Sequence, residues 1–126
     1  TNANLNDIGT LRLDASSTYG IYSSGNYTLL TESGRLSTTG IQTVGIYSTG
    51  THASLINSGT LTMSGAQTTG INANGAYATL TNSGTLTTSA SSAYGIYSTG
   101  TNAILTNSGA LTTSGSSTIG IYSTAA

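Results

Sequence analysis

The chain contains no cysteine. Disulfides and thiolate metal sites are therefore excluded, and stability has to come from backbone pairing and packing. Charge is nearly as scarce, with two Arg, three Asp or Glu and no Lys in 126 residues. An ordinary soluble domain is about a quarter charged. The five charged residues, Asp7, Arg12, Asp14, Glu32 and Arg35, all fall early, and beyond them only His52 and the tyrosines can ionise. Nucleic-acid binding, which draws its affinity from Lys and Arg meeting phosphates, is argued against, as is an electrostatic anchor to anionic lipid. No apolar run approaches the roughly 20 residues of a membrane helix, so membrane insertion of this segment is not expected. No secretory leader is visible and the chain begins at Thr1 without Met, which reads as a mature fragment or an excerpt of a longer chain. Helix is disfavoured throughout, because Gly, Thr and Ser recur too densely.

What is present is a repeat. Gly95 to Ile119 reads GIYSTGTNAILTNSGALTTSGSSTI, and Gly45 to Thr69 reads GIYSTGTHASLINSGTLTMSGAQTT. The spacing is 25 residues with no insertion or deletion. With the first Gly of each copy as phase 1, Gly20, Gly45, Gly70, Gly95 and Gly120 align, each followed by Ile at phase 2. Phase 11 is always Leu (Leu5, Leu30, Leu55, Leu80, Leu105), and so is phase 17 (Leu11, Leu36, Leu61, Leu86, Leu111). A disordered linker has no reason to hold Leu at one phase. Residues 1–126 therefore read as one unit of about five coils, with Thr1 and Ala126 both at phase 7. This reading predicts open ends at which further coils or copies stack.

Three segments alternate apolar and polar residues as half-buried strands do, over phases 2–4, 9–13 and 16–20. One unit has too few large apolar side chains to bury a core alone. Stacked on its copy, each strand pairs in parallel about 4.8 Å away, and Ile lies over Ile and Leu over Leu. The expected fold is an all-β parallel β-helix (β-solenoid) with three short strands per coil, right-handed by analogy with the usual crossover hand. Gly at every copy of phase 15 implies either positive φ or a corner too tight for a Cβ. Phases 21–25 vary most and read as an outward loop. Phase 13 holds Asp7, Glu32, Asn57, Asn82 and Asn107. Its inward parity suggests a polar ladder inside a corner, and an ordinary turn asparagine is the other reading.

The pattern GIYSTGTNAxLTNSGxLTTSGS resembles the repeats of autotransporter passenger domains and related large secreted bacterial adhesins. The resemblance covers the whole chain. It implies a parallel β-helix exported to the surface of a Gram-negative cell and used in adhesion or as a stalk, with a translocator barrel and cap lying elsewhere.

Candidate sites follow from phase. Phase 3 sets Tyr22, Tyr47, Asn72, Tyr97 and Tyr122 along one outward face, and aromatic rows suit sugar rings or a neighbouring fibre. Stacked Tyr that only supports the sheet is the plainer reading. Phases 16 and 18 set out Thr60, Thr62, Thr85, Thr87 and Thr112, a Thr array like that of an ice-binding solenoid, interrupted by Arg12, Arg35 and Ala110. Asp7 and Glu32 fall at one phase on adjacent coils, a spacing compatible with a polysaccharide-cleaving carboxylate pair. His52 has no carboxylate at a neighbouring phase and reads as a surface residue. No cofactor is implied. No cluster points to a metal, and Asp7, Asp14 and Glu32 are the one weak calcium candidate. Asn26-Tyr27-Thr28 matches a glycosylation sequon. The expected role is a non-enzymatic extracellular stalk, fibre or attachment surface. Its expected partners are further copies, head to tail or side by side, and host or bacterial surface glycans.

Overall fold

The computed structural model describes residues 2–124. Thr1 and Ala126, whose shared phase suggested open ends, lie outside the described residues. The fold is an all-β parallel solenoid of three five-stranded sheets, with no helix among the described residues. The first sheet stacks β1 (Asn4–Asp7), β4 (Leu29–Glu32), β7 (Ser54–Asn57), β10 (Thr79–Asn82) and β13 (Ile104–Asn107). The second stacks β2 (Thr10–Leu13), β5 (Arg35–Thr38), β8 (Thr60–Met63), β11 (Thr85–Thr88) and β14 (Ala110–Thr113). The third stacks β3 (Tyr19–Ser23), β6 (Val44–Ser48), β9 (Thr69–Ala73), β12 (Tyr94–Ser98) and β15 (Ile119–Ser123). All pairings are parallel and keep the repeat register, as in Leu80 opposite Leu55 and Leu105.

The interior is built of columns. Leu30, Leu55 and Leu80 form one, Leu36, Leu61 and Leu86 a second, and Ile46, Ile71 and Ile96 a third, all fully buried. Met63 and the inward Thr38 and Thr88 of its column line the second sheet. Full burial of each such aliphatic contributes on the order of 1.5–3 kcal/mol. Corners are fixed by small polar groups. Inward Ser48 and Ser98 each accept the backbone N–H two residues on, from Gly50 at 3.2 Å and Gly100 at 3.1 Å.

Phase 15 takes the second of its two readings, a corner too tight for a Cβ, while the corners depart from the sequence in where positive φ falls and in one arc. No described glycine has positive φ. Positive φ falls instead on non-glycine residues at phase 8 (Tyr27, His52, Tyr77, Asn102) and phase 23 (Ser17, Gln42, Gln67, Ser92, Ser117), with φ between 54° and 57°. At these two corners the backbone N–H turns toward the following coil, as from His52 to the Ala76 carbonyl at 2.9 Å. The glycines answer a different need. A Cβ on Gly59 would lie 2.2 Å from the Gly34 carbonyl oxygen. Ser58 and Gly59 both donate their N–H to the Glu32 carbonyl at this corner, at 2.8 and 2.9 Å. Phase 15 is glycine because adjacent coils approach too closely for a side chain.

The second departure is the arc at phases 21–25, which is not simply an outward loop. Gly40, Gly65 and Ala90 at phase 21, and Thr43, Thr68 and Ala93 at phase 24, are buried. Phase 25 already belongs to the third sheet. Only phases 22 and 23 point outward in the intact coils. Alternation also breaks within that sheet, where Gly45 and Ile46 are both buried. A Cβ on Gly45 would meet Leu61 Cδ1 at 2.7 Å, so the missing side chain makes room for the leucine column.

Candidate functional site

Each face presents its outward residues as straight columns. On the second sheet Thr60, Thr85 and Ala110 align in register, as do Thr62, Thr87 and Thr112. Arg35 lies below Thr60 in the first column, with Thr10 beneath it, and Arg12 lies two coils below Thr62. Arg12 is turned along its own strand and bonds Asp14 through Nε at 2.9 Å. Asp14 also accepts from Thr39 Oγ1 at 2.7 Å. That hydroxyl first, and Arg12 second, hold the Asp14 carboxyl below its ordinary pKa. Asp14 is thus committed outside the coil, and the carboxylates of Asp7, Asp14 and Glu32 do not converge as a calcium site would require.

The third sheet carries the aromatic face. Tyr22 and Tyr47 align in register, as do Tyr97 and Tyr122, with Asn72 between the pairs. Two further tyrosines join them from phase 25. Tyr19 stacks on Tyr22 and Tyr47 at 5.3 and 4.9 Å between ring centroids. Tyr94 stacks on Tyr97 and Tyr122 at 5.0 and 5.7 Å. The face therefore holds two triplets of rings separated by the polar rung of Thr69 and Asn72. Asn74 Nδ2 donates to the Tyr47 hydroxyl at 3.0 Å and ties the lower triplet to that rung. Burial among its neighbours raises the Tyr47 hydroxyl above its ordinary pKa, and the adjacent Tyr19 and Tyr22 add to the effect.

A third aromatic column runs along the phase-8 corner. Tyr27, His52 and Tyr77 stack at 4.7 and 4.9 Å, with ring planes within 13°. His52 is exposed, as the sequence suggested, and is sandwiched between two tyrosines. Sequence reasoning missed this column, although its signal was an aromatic at one phase in three successive copies. It also missed Tyr19 and Tyr94, because the variability of phases 21–25 reads as a loop.

No family model, curated protein or solved structure matches this chain. The solenoid is therefore read from its own geometry.

Inside the first corner, phase 13 is a ladder. Asn57 Nδ2 donates to Asn82 Oδ1 at 2.7 Å, and Asn82 Nδ2 donates to Asn107 Oδ1 at 2.7 Å. The same amides reach the turn backbone, to the Thr85 carbonyl at 3.1 Å and the Ala110 carbonyl at 3.0 Å. Asn107, on the last coil, turns to the Gly109 carbonyl at 3.1 Å. Glu32 occupies the next rung down and is 0 % exposed. Glu32 is thus enclosed within the coil wall, whereas Asp7 on the first described coil is half-buried. At the sequon, Asn26 Oδ1 accepts from the Thr51 N–H at 2.9 Å, and Thr28 is 2 % exposed. Asn26 is exposed in the turn with its side-chain oxygen engaged, and Thr28 is buried beneath it.

Proposed function

We propose that the chain is a non-enzymatic extracellular structural and adhesive module, a rigid solenoid stalk or fibre segment whose outward columns make the attachments. The supporting observation is the aromatic face of the third sheet, where Tyr19, Tyr22 and Tyr47, and again Tyr94, Tyr97 and Tyr122, stand as stacked rings on a paired β-scaffold. Aromatic groups with a polar tip suit the apolar faces and hydroxyls of surface glycans, and equally a second fibre laid alongside. The scaffold is preorganised, so binding costs little ordering of the backbone. Every coil carries the register that a further coil takes, which suits head-to-tail self-association. The cysteine-free, charge-poor repeat and its resemblance to passenger repeats support a place on the outer surface of a Gram-negative bacterium.

The test is attachment of beads carrying the chain to glycan-coated surfaces and to one another. Tyr22→Ser, Tyr47→Ser, Tyr97→Ser and Tyr122→Ser combined should abolish attachment, and Tyr97→Ser with Tyr122→Ser alone should weaken it, while the circular dichroism spectrum stays unchanged. Absence of both glycan attachment and self-association, with monodisperse monomers by light scattering at high concentration, would reject the proposal.

A second reading rests on the register of Thr60, Thr62, Thr85, Thr87 and Thr112, which forms a two-column hydroxyl array suited to ordered water. A thermal-hysteresis assay separates it: activity in the wild type lost in Thr87→Tyr supports ice binding, and no wild-type activity rejects it.

A further inference from the structure

The amide ladder has a direction. Asn57 and Asn82 each donate toward the following coil, from Asn57 to Asn82 and from Asn82 to Asn107. The opposite side of the Asn57 amide, its Oδ1, is therefore turned back toward the Glu32 rung, and it has no donor. Glu32 pairs in register with Asn57 above and Asp7 below. Both Glu32 carboxyl oxygens and Asp7 Oδ2 are also buried without a partner. Asp7 Oδ1 is occupied by the Gly9 N–H at 3.1 Å. Three consecutive rungs thus bring four acceptor oxygens together without a donor. Buried acceptors are rarely left so, because they lose water and gain nothing in return.

A donor or a cation has to reconcile them, and Glu32 itself is 0 % exposed and so out of reach of bulk solvent. Calcium takes about six to eight oxygen ligands, and magnesium needs near-octahedral coordination completed by water. Four oxygens fall short of either number. A proton needs one donor atom and one acceptor. We propose that Glu32 is held as a neutral carboxylic acid in the folded coil, its hydroxyl donating to one of the two acceptors that face it, Asp7 Oδ2 or Asn57 Oδ1, so that these rungs form a proton-binding site. A carboxylic acid has the donor and acceptor faces of a side-chain amide, and this is how an acid fits a column otherwise made of Asn.

The electrostatics agree. Burial first, then the Asp7 carboxylate and the hydrogen bond to it, push Glu32 up from 4.5 to about 7, against a weaker opposing pull from the Gly34 backbone. No positive group offsets this on the packed elements. Arg12, following Asp7 on β2, is exposed and committed to Asp14, and Arg35 on β5 is exposed on the outer side of its strand. On the third sheet the ionisable groups of β3 and β6 are Tyr19, Tyr22 and Tyr47, which stack on one another on the outer face.

Between pH 4.5 and about 7 the folded chain holds a proton that the unfolded chain has released. Stability from this site is complete below the lower value and is lost as pH rises through the upper one. The first coils are therefore tighter in mildly acidic surroundings. The displacement of 7 − 4.5 = 2.5 corresponds to a change of about 300-fold in the unfolding equilibrium.

The experiment is a carbon-detected NMR titration of the Glu32 side-chain carboxyl, with unfolding midpoints from pH 4 to pH 9 for wild type and Glu32→Gln. The expected results are a Glu32 midpoint near 7, a wild-type stability that falls across that interval, and a flatter profile in Glu32→Gln, whose amide donates at every pH. If the variant does not fold, the wild-type titration decides alone. A Glu32 midpoint in the ordinary carboxylate range overturns the proposal, as do parallel pH profiles in the two proteins. Calcium at millimolar concentration that restores wild-type stability at pH 8.5, without effect on Glu32→Gln, also overturns it and assigns the rungs to a metal.

Discussion

Removing one amide from the middle of the ladder should cost far more than removing its outward neighbour. Asn82→Ala deletes the bond from Asn57 Nδ2, the bond to Asn107 Oδ1 and the bond to the Ala110 carbonyl, at 2.7, 2.7 and 3.0 Å. Asn57 Nδ2 keeps the Thr85 carbonyl at 3.1 Å, and Asn107 is exposed enough for water to replace its lost donor. The loss is therefore set by three bonds of about 1 kcal/mol each, plus a small residual void, for a total of about 3–4 kcal/mol. Thr81→Ala on the same strand removes an outward side chain and should cost about 0.5 kcal/mol. Because each coil touches only its neighbours, the damage stays local. Hydrogen exchange should show protection lost in β7, β10 and β13 while β2 and β3 keep theirs, and denaturant melts should give the totals. An Asn82→Ala variant as stable as Thr81→Ala would refute the assignment of the ladder as a net stabilising element.

Leu80→Asp should abolish cooperative melting of the central coils, since a charge would enter a column whose members are 0 % exposed; an unchanged melting temperature would count against the burial. Gly59→Ala should destabilise by about 1–3 kcal/mol or more, because its Cβ would sit 2.2 Å from the Gly34 oxygen. Ser92→Gly should instead stabilise by about 0.5 kcal/mol, relieving a φ of 56° at an exposed corner, as read from denaturant midpoints. Similar effects at the two positions would contradict the division between tight corners and left-handed corners.

The 25-residue period determined the register by itself. A unit that can bury Leu30 or Ile46 only beneath its own copy has one way to stack, and any slip would misalign Leu and Ile columns with Ser and Thr. The three strands, the columns and the parallel sheets were legible for that reason, and so were the Tyr and Thr rows on the outer faces. The corners were not. Alternation predicts direction only while the chain runs straight, so the inward turn of Thr43 and Thr68, the left-handed backbone of His52 and Ser92, and the place of Tyr19 and Tyr94 on a sheet face all escaped it. Phase also puts Asp7, Glu32 and Asn57 in one column without saying which atoms meet. Only the folded coil, by turning the Asn57 and Asn82 amides the same way and burying Glu32, decided that this position lacks a donor. Hydrogen-bond direction and burial are properties of neighbouring coils together, and no single repeat contains them.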